Sequence, residues 1–196
     1  MQIDKRVELR RQIVHILIGL VILFLVFMID KTIILWLLLV ALAVTLILGF
    51  IQKKYRIFNI FSQTIGGRKE FPFRGLIFFL IGSLLVVKLF ELDIALTAIT
   101  VLTFGDSVAT FFRTFFGSKD KNYTHTKYFL GSIMGVVVAF LIALVFIQPL
   151  YALTGAIVGM FAEIITIKLG ETEADDNFIV PLAAGTAIYL MKILLL

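Results

Sequence analysis

Residues 94–113 read IALTAITVLTFGDSVATFFR, an apolar run that contains one carboxylate, Asp106. Roughly 20 residues of this kind form a helix long enough to cross a bilayer. A carboxylate inside hydrocarbon is costly unless it is paired, hydrated or bound to a cation. Glu163 lies in a second apolar run, four residues after Gly155-x-x-x-Gly159. Both acids are therefore candidate functional residues on helix faces that carry small residues.

The composition of the chain is that of an integral membrane protein. Hydrophobic residues make up 61% of the 196 positions and charged residues 16%, and the mean hydropathy is +1.08. The polar stretches near 52–74 and 113–127 are too short to bury a core of their own. The sequence therefore predicts an all-α, polytopic helical bundle that forms a single transmembrane domain over residues 1–196.

Hydropathy predicts seven spans, near 13–29, 32–51, 74–90, 94–113, 128–147, 150–169 and 178–195. If the spans alternate in direction, all 18 Lys and Arg residues lie on one side except Lys31, Lys88 and Lys192. The positive-inside rule then predicts a cytoplasmic amino terminus and an external carboxy terminus. We expect a multi-pass protein of the cell membrane or an endomembrane whose polar site faces the cytosol.

This topology brings polar residues to a common depth. Asp106 and Glu163 each lie about 18–20 Å from the outer boundary of a span that runs inward. Further polar residues near the cytosolic ends of spans are His15, Arg113, Lys127, Asp175, Asp176 and Asn177. We expect one cytosol-facing pocket with the carboxylates and cations that bind a divalent metal and a polyphosphate.

Other sequence features have simpler interpretations or exclude alternatives. The stripes Gly131-x-x-x-Gly135 and Gly155-x-x-x-Gly159 favour helix packing over ligand binding. The sequence leaves open whether Arg113 and Lys127 anchor helices in the interface or bind phosphate. The chain has no Walker A loop, no G-x-G-x-x-G and no H-E-x-x-H, so a nucleotide site has to be built from membrane helices. The absence of cysteine excludes disulfides and thiolate metal sites. The net charge of +5 fits topology and anionic headgroups, and no nucleic-acid partner is expected.

The chain resembles the membrane lipid-alcohol kinases that use CTP, a family that includes dolichol kinase, phytol kinase and the fungal-type diacylglycerol kinase. The resemblance rests on segments that follow the family's order over nearly the whole chain: Glu8-x-Arg10-Arg11-x-x-x-His15, Gly75 to Gly82, Gly105-Asp106-Ser107-x-Ala109-Thr110 with Arg113 and Gly117, Thr126-Lys127-x-x-x-Gly131-Ser132, Glu163, and Asp175-Asp176-Asn177-Phe178.

The resemblance implies phosphoryl transfer from CTP, with Mg²⁺, to the hydroxyl of a membrane lipid alcohol of the polyprenol or diacylglycerol type. Asp106, Glu163 and Asp176 are then the expected catalytic residues and Mg²⁺ ligands. The expected CTP-binding residues are Gly105, Ser107, Arg113, Lys127, Gly131, Ser132 and Asn177, with His15 and Arg11 at the mouth of the site. The sequence leaves the choice of lipid, the choice of base among the acids and a homo-oligomer open.

Two other functions stay possible on the sequence alone. A CTP-dependent cytidylyltransferase that makes a CDP-lipid shares the membrane setting and the nucleotide, but the carboxy-terminal signature of the CDP-diacylglycerol synthases is missing. A cation-coupled transporter also needs carboxylates inside the membrane. The acids of this chain, however, gather with cations toward one face instead of forming a path across the bilayer.

Overall fold

The computed structural model describes residues 5–55, 73–116, 124–164, 168–169, 172–173 and 175–195. It describes the backbone alone for residues 124–128 and for the two short strands. The cation-rich segments that contain Arg56, Arg68, Lys69, Lys119 and Lys121 lie outside the described residues, as does Gly117.

Each predicted span overlaps a helix. The helices are α1 (Lys5–Met28), α2 (Lys31–Tyr55), α3 (Arg74–Leu89), α4 (Leu92–Thr100), α5 (Ser107–Phe116), α6 (Thr124–Ala143), α7 (Pro149–Ile164) and α8 (Asp176–Leu194), and a π-helical segment, Val101–Asp106, joins α4 to α5. Two-residue strands, β1 (Lys168–Leu169) and β2 (Thr172–Glu173), pair antiparallel.

Two of the predicted span ends are wrong. The helix of the sixth predicted span, α7, ends at Ile164, and residues 168–169 belong to the short hairpin. The helix of the fifth predicted span, α6, ends at Ala143, because the amides of Val145 and Phe146 donate to carbonyls three residues back and tighten the chain into a turn. Pro149 then begins α7, a position where its missing amide proton costs nothing.

Four helical stretches are long and apolar enough to cross a membrane: Lys5–Met28, Lys31–Tyr55, Leu92–Phe116 and Asp176–Leu194. We call Leu92–Phe116, which comprises α4, the π-helical segment and α5, the central helix. Within its apolar window 72% of residues are buried, against 28%, 22% and 28% for the other three. The other helices therefore surround the central helix and shield it.

The buried apolar side chains form one cluster to which every helix contributes. The outer faces of α1 and α2 carry exposed apolar side chains instead, among them Phe24, Trp36, Val40 and Phe50. Large exposed apolar faces on two helices of membrane-spanning length fit contact with lipid. The chain is a helical membrane protein.

Small residues allow the helices around the central helix to approach closely. A Cβ at Gly135 would lie 2.6 Å from the Gly105 carbonyl oxygen, and one at Gly159 would lie 2.7 Å from Val101. A Cβ at Gly155 would lie 2.6 Å from Ile188 of α8. The expectation that both small-residue stripes serve helix packing is confirmed.

Candidate functional site

Asp106 is the last residue of the π-helical segment, at the point where the central helix returns to α-helical geometry. A π-helical turn contains one residue more than an α-helical turn would, and such segments are frequent at functional sites. Asp106 is partly buried, and its Oδ1 accepts a hydrogen bond of 3.4 Å from the Thr110 hydroxyl one turn later. Asp106, Thr110 and Arg113 follow helical spacing, so Arg113 lies on the same side of the central helix as Asp106.

Glu163 meets Asp106 and Arg113 at the end of α7. The Glu163 side chain is 1% exposed, and Arg113 Nη2 donates a hydrogen bond to its Oε1. The Arg113 Nε also donates to the Ala109 carbonyl at 3.2 Å, which holds the guanidinium along α5. The Asp106 and Glu163 carboxyl groups interact electrostatically. Two acids and one cation from two different helices therefore share one buried site.

The beginning of α8 supplies a third acid, Asp175. Its Oδ1 caps the helix by accepting hydrogen bonds from the backbone amide of Asn177 at 3.2 Å and from Asn177 Nδ2 at 2.9 Å. Its Oδ2 lies 3.6 Å from Nε of Arg74, the first residue of α3. Burial raises the pKa of the Asp175 carboxyl against the opposing effects of Asn177 and Arg74, and the charge of Asp106 adds to the rise. Asp175 is therefore part of the same electrostatic network.

The amino-terminal part of α1 packs against the central helix and brings further polar residues to the site. Its Glu8 is buried and accepts hydrogen bonds from Gln12 Nε2 at 2.8 Å and from Arg11 Nη2 at 2.7 Å. The His15 ring stands edge-on to Phe79, with 4.7 Å between ring centroids, and interacts electrostatically with Asp106. Arg11 is thus held at the rim by Glu8, while His15 faces Asp106.

The structure places the remaining predicted site residues in two kinds of position. Gly105 and Gly131 lie in helix contacts, because a Cβ on Gly131 would lie 2.8 Å from the Ala109 carbonyl oxygen and one on Gly105 would lie 2.7 Å from Met160. Ser107 is buried directly after Asp106, and Ser132 is buried near the middle of α6. The side chain of Lys127 lies outside the described residues, so its predicted role stays a prediction.

The expected metal ligands Asp106, Glu163 and Asp176 do not form a ready-made group. Among the described residues no three acidic or histidine side chains are arranged to hold a metal ion. The reason is local: Asp175 caps α8 and pairs with Arg74, whereas the next residue, Asp176, is exposed on the first turn. Asp106 and Glu163 remain as a pair, and Glu163 Oε2 is buried with no hydrogen-bond partner in the described part of the chain.

A pair of carboxylates suits Mg²⁺ better than a site in which the protein supplies every ligand. Mg²⁺ in phosphoryl-transfer sites is usually bound by one or two carboxylates, substrate phosphates and water. Asp106 and Glu163 supply such a pair, with one oxygen of Glu163 committed to Arg113 and the other without a partner among the residues described. The donor set present in the chain is therefore suited to a metal that arrives with a polyphosphate.

A separate ionic group lies at the opposite end of the bundle. Lys192 near the end of α8 binds Glu91 at 2.8 Å and Asp93 at 2.7 Å, and Lys31 donates to the Phe90 carbonyl at 2.8 Å. The side chains of Glu91 and Asp93 are 69% and 35% exposed, so water solvates Glu91 for the most part and Asp93 in part. These contacts connect the helix ends around the connection from α3 to α4.

Several polar residues of the site carry no strong sequence signal. Gln12, Ser83 and Thr103 are buried near the acids, and each has a side-chain oxygen without a hydrogen-bond partner among the described residues. Each is a single polar residue on an otherwise apolar helix face, which the sequence cannot distinguish from a hydroxyl that bonds its own backbone. Glu8, Gln12 and His15 do follow the helical period along one side of α1. This pattern could have indicated from the sequence that Gln12 belongs to the site.

The fold and the site define a helical membrane protein with a buried carboxylate pair at one end of its bundle. The chain is 30% identical over 178 residues to the uncharacterized protein MJ1137 of Methanocaldococcus jannaschii, a match that covers 89% of this chain and 88% of that protein. The chain therefore belongs to the same family as this archaeal protein. No protein-family model matches the chain, and no solved structure matches it.

Proposed function

We propose that the protein is a CTP-dependent lipid-alcohol kinase. One observation carries the proposal: Asp106, Glu163 and Arg113, from two helices, meet in a buried site at one end of the bundle. Intramembrane carboxylates are expensive and are rarely kept for packing alone. In the described part of the chain, residues 94–105 of the central helix separate these acids from Glu91 and Asp93 and contain no charged residue, which favours chemistry at a surface over ion transport.

The arrangement meets the needs of phosphoryl transfer. That reaction requires charge neutralisation of a polyphosphate, in-line positioning and acceptance of a hydroxyl proton. Arg113 is the described cation best placed to contact phosphate, because its planar guanidinium already lies between α5 and Glu163. Asp106 and Glu163 are the candidate bases, and Mg²⁺ held by their carboxylates would supply charge neutralisation.

In the proposed reaction the oxygen of a lipid hydroxyl forms a bond to the γ-phosphorus of CTP. The bond between that phosphorus and the oxygen bridging to the β-phosphate breaks, and CDP leaves with the bond's electron pair. The hydroxyl proton passes to a carboxylate oxygen of Asp106 or Glu163. Asn177 and Lys127 are proposed to contact the nucleotide, and Asp175 takes the place expected for Asp176 because it interacts with Asp106.

We further propose seven crossings, with the amino terminus and the acidic end of the bundle in the cytosol. Lys31, Lys88 and Lys192, the cations predicted to lie outside, belong to the other end of the described bundle. Cytosolic placement gives the site access to CTP and to the headgroup region of one leaflet. The lipid alcohol then needs to bring only its hydroxyl below the surface.

The proposal is tested with purified protein in mixed micelles, given CTP or ATP and a panel of lipid alcohols. The expected result is CDP and a lipid monophosphate in equal amounts, with Mg²⁺ required and CTP preferred. Release of pyrophosphate together with a CDP-lipid would show a cytidylyltransferase instead. Uptake of a solute into proteoliposomes without nucleotide consumption would show a transporter.

A further inference from the structure

Asp106 has chemically different surroundings on its two sides. Toward α7 it meets the charged groups Glu163 and Arg113. On α1, α3 and the central helix lie buried neutral side chains, namely Gln12, His15, Ser83, Thr103 and Ser107, and the ion pairs Glu8–Arg11 and Arg74–Asp175 border them. We call these neutral side chains the neutral half of the site, and the Glu163–Arg113 pair its charged half.

The neutral half carries buried polar atoms with no hydrogen-bond partner among the described residues. They include His15 Nε2, Gln12 Oε1 and the hydroxyls of Ser83, Thr100, Thr103 and Ser107. A buried polar atom that stays unpaired keeps the full penalty of its lost hydration. So many unpaired atoms in one region point to a hydrogen-bonding ligand that enters it.

Three other helical threonines form hydrogen bonds with the backbone of their own helix. Thr45, Thr97 and Thr154 each donate to the carbonyl four residues earlier, at 2.7, 2.8 and 2.9 Å. This bond is available to any helical Ser or Thr. Thr103 and Ser107 do not form it, although both are buried in the same central helix as Thr97. Their hydroxyls are thus left without a hydrogen-bond partner among the described residues.

The packing of α1 fixes the neutral half in place. A Cβ on Gly19 would overlap the Thr103 side chain, so α1 lies directly against the π-helical segment there. One turn earlier along α1, His15 interacts with the Leu102 backbone and electrostatically with Asp106. On the other side, a Cβ on Gly82 would lie 2.5 Å from the Asn177 carbonyl oxygen, which holds Ser83 of α3 close to the start of α8.

We propose that this neutral half is the acceptor site, and that His15 Nε2 hydrogen-bonds the hydroxyl of the lipid alcohol beside Asp106. The inference rests on the proposed function. A neutral alcohol needs hydrogen-bonding partners and no charge, whereas the polyphosphate needs the cations of the opposite half. Thr103 and Ser107 complete the acceptor site with hydroxyls on the face that α1 covers. Asp106 then lies between the two substrates, where a base for the acceptor proton has to be.

The test compares His15→Phe and Thr103→Val with the matched control Thr97→Val. His15→Phe keeps an aromatic ring against Phe79, and Thr→Val keeps the side-chain shape. The control removes a buried hydroxyl of the same helix that already bonds the Asp93 carbonyl. We expect the KM for the lipid alcohol to rise about tenfold in His15→Phe and severalfold in Thr103→Val, the range of one lost hydrogen bond. The KM for CTP should stay unchanged, Thr97→Val should match the wild type in both constants, and His15→Gln should recover part of the loss.

A second measurement needs no catalysis. The thermal unfolding midpoint in detergent is recorded with dioctanoylglycerol and with farnesol, without nucleotide. We expect the wild type to be stabilised by the alcohol that it phosphorylates, and His15→Phe to lose this effect. If His15→Phe fails to fold, Thr103→Val is measured in its place.

The outcomes separate the inference from the proposed function. If the wild type phosphorylates the alcohol while the variants keep both KM values, or raise the KM for CTP equally, the acceptor assignment is overturned and the kinase stands. If the wild type transfers no phosphoryl group, the kinase fails. In that case an alcohol site is still supported if the alcohol stabilises the wild type and does not stabilise His15→Phe. If the alcohol does not stabilise the wild type, the alcohol site is overturned.

Discussion

The guanidinium of Arg113, near the end of the central helix, donates a hydrogen bond to Oε1 of Glu163 near the end of α7. This contact joins the two helices whose carboxylates form the centre of the proposed site. It also leaves only one oxygen of Glu163 for another ligand. The first two predictions concern what this pair and its neighbour Asp106 contribute.

Asp106→Asn is expected to abolish phosphoryl transfer in a protein that still folds. The change removes the charge that binds Mg²⁺ or accepts the proton, and it relieves repulsion between Asp106 and Glu163. Activity should fall by well over tenfold, a barrier increase above ~1.4 kcal/mol, while the unfolding midpoint holds or rises. The control is Asp30→Asn at the opposite end, where either residue can cap the Thr32 amide. An Asp106→Asn protein with more than about a tenth of the activity would remove Asp106 from the reaction.

Arg113→Ala is expected to destabilise the protein by leaving the buried Glu163 carboxylate without its cation. Breaking a buried pair costs about 3–5 kcal/mol, and the 21% exposure of the Arg113 side chain places this case at the low end. Adding Glu163→Gln should restore much of the unfolding midpoint without restoring activity. Lys192→Ala serves as the control, since its partners Glu91 and Asp93 are largely hydrated and the midpoint should barely move. Equal decreases of the unfolding midpoint in Arg113→Ala and Lys192→Ala would show that burial of the Arg113–Glu163 pair does not contribute to stability.

The positions of the helices were largely predictable from the sequence, because runs of about 20 apolar residues have few alternatives in a bilayer. The meeting of Asp106 and Glu163 also followed from their equal depth in spans of the same direction. The π-helical segment was not predictable, since Val101–Asp106 carries no sequence signal that separates it from an α-helix. The roles assigned to these acids stay predictions.

The choice between neighbouring residues was harder to predict than the region. The sequence favoured Asp176 as a ligand, yet Asp175 faces Asp106 because it is the residue that caps α8. Gly131 was expected near the nucleotide, yet the backbone of α5 fills the space beside it. Such differences depend on helix starts and rotations, which hydropathy determines only to within a few residues.

Lys127→Ala and Arg113→Ala are expected to raise the KM for CTP more than the KM for the lipid alcohol. Both cations come at helix ends on the side of the acids, where phosphate is the natural partner for a cation. If either residue binds phosphate more tightly in the transition state than in the ground state, kcat should fall instead. Steady-state kinetics of folded variants distinguish these outcomes. Unchanged KM and kcat for CTP would assign both residues to anchoring helices in the interface.

The proposed topology places Lys54, at the end of α2, in the cytosol and Leu194, at the end of α8, outside. The chain contains no cysteine, so Lys54→Cys and Leu194→Cys each introduce a unique thiol. An impermeant maleimide applied to intact cells should label position 194 and spare position 54 until the membrane is opened. The reverse pattern would put the acidic end of the bundle outside and separate it from cytosolic CTP.

The central claim is transfer of the γ-phosphoryl group of CTP to a lipid alcohol, and the position of a radiolabel tests it most directly. Purified protein is incubated with Mg²⁺, a lipid alcohol and CTP labelled at either the γ- or the α-phosphorus, with Asp106→Asn alongside. The account predicts that label enters the lipid from γ-labelled CTP, that none enters from α-labelled CTP, and that Asp106→Asn transfers neither. Lipid labelled from the α-phosphorus, or no labelled lipid from either nucleotide, would contradict it.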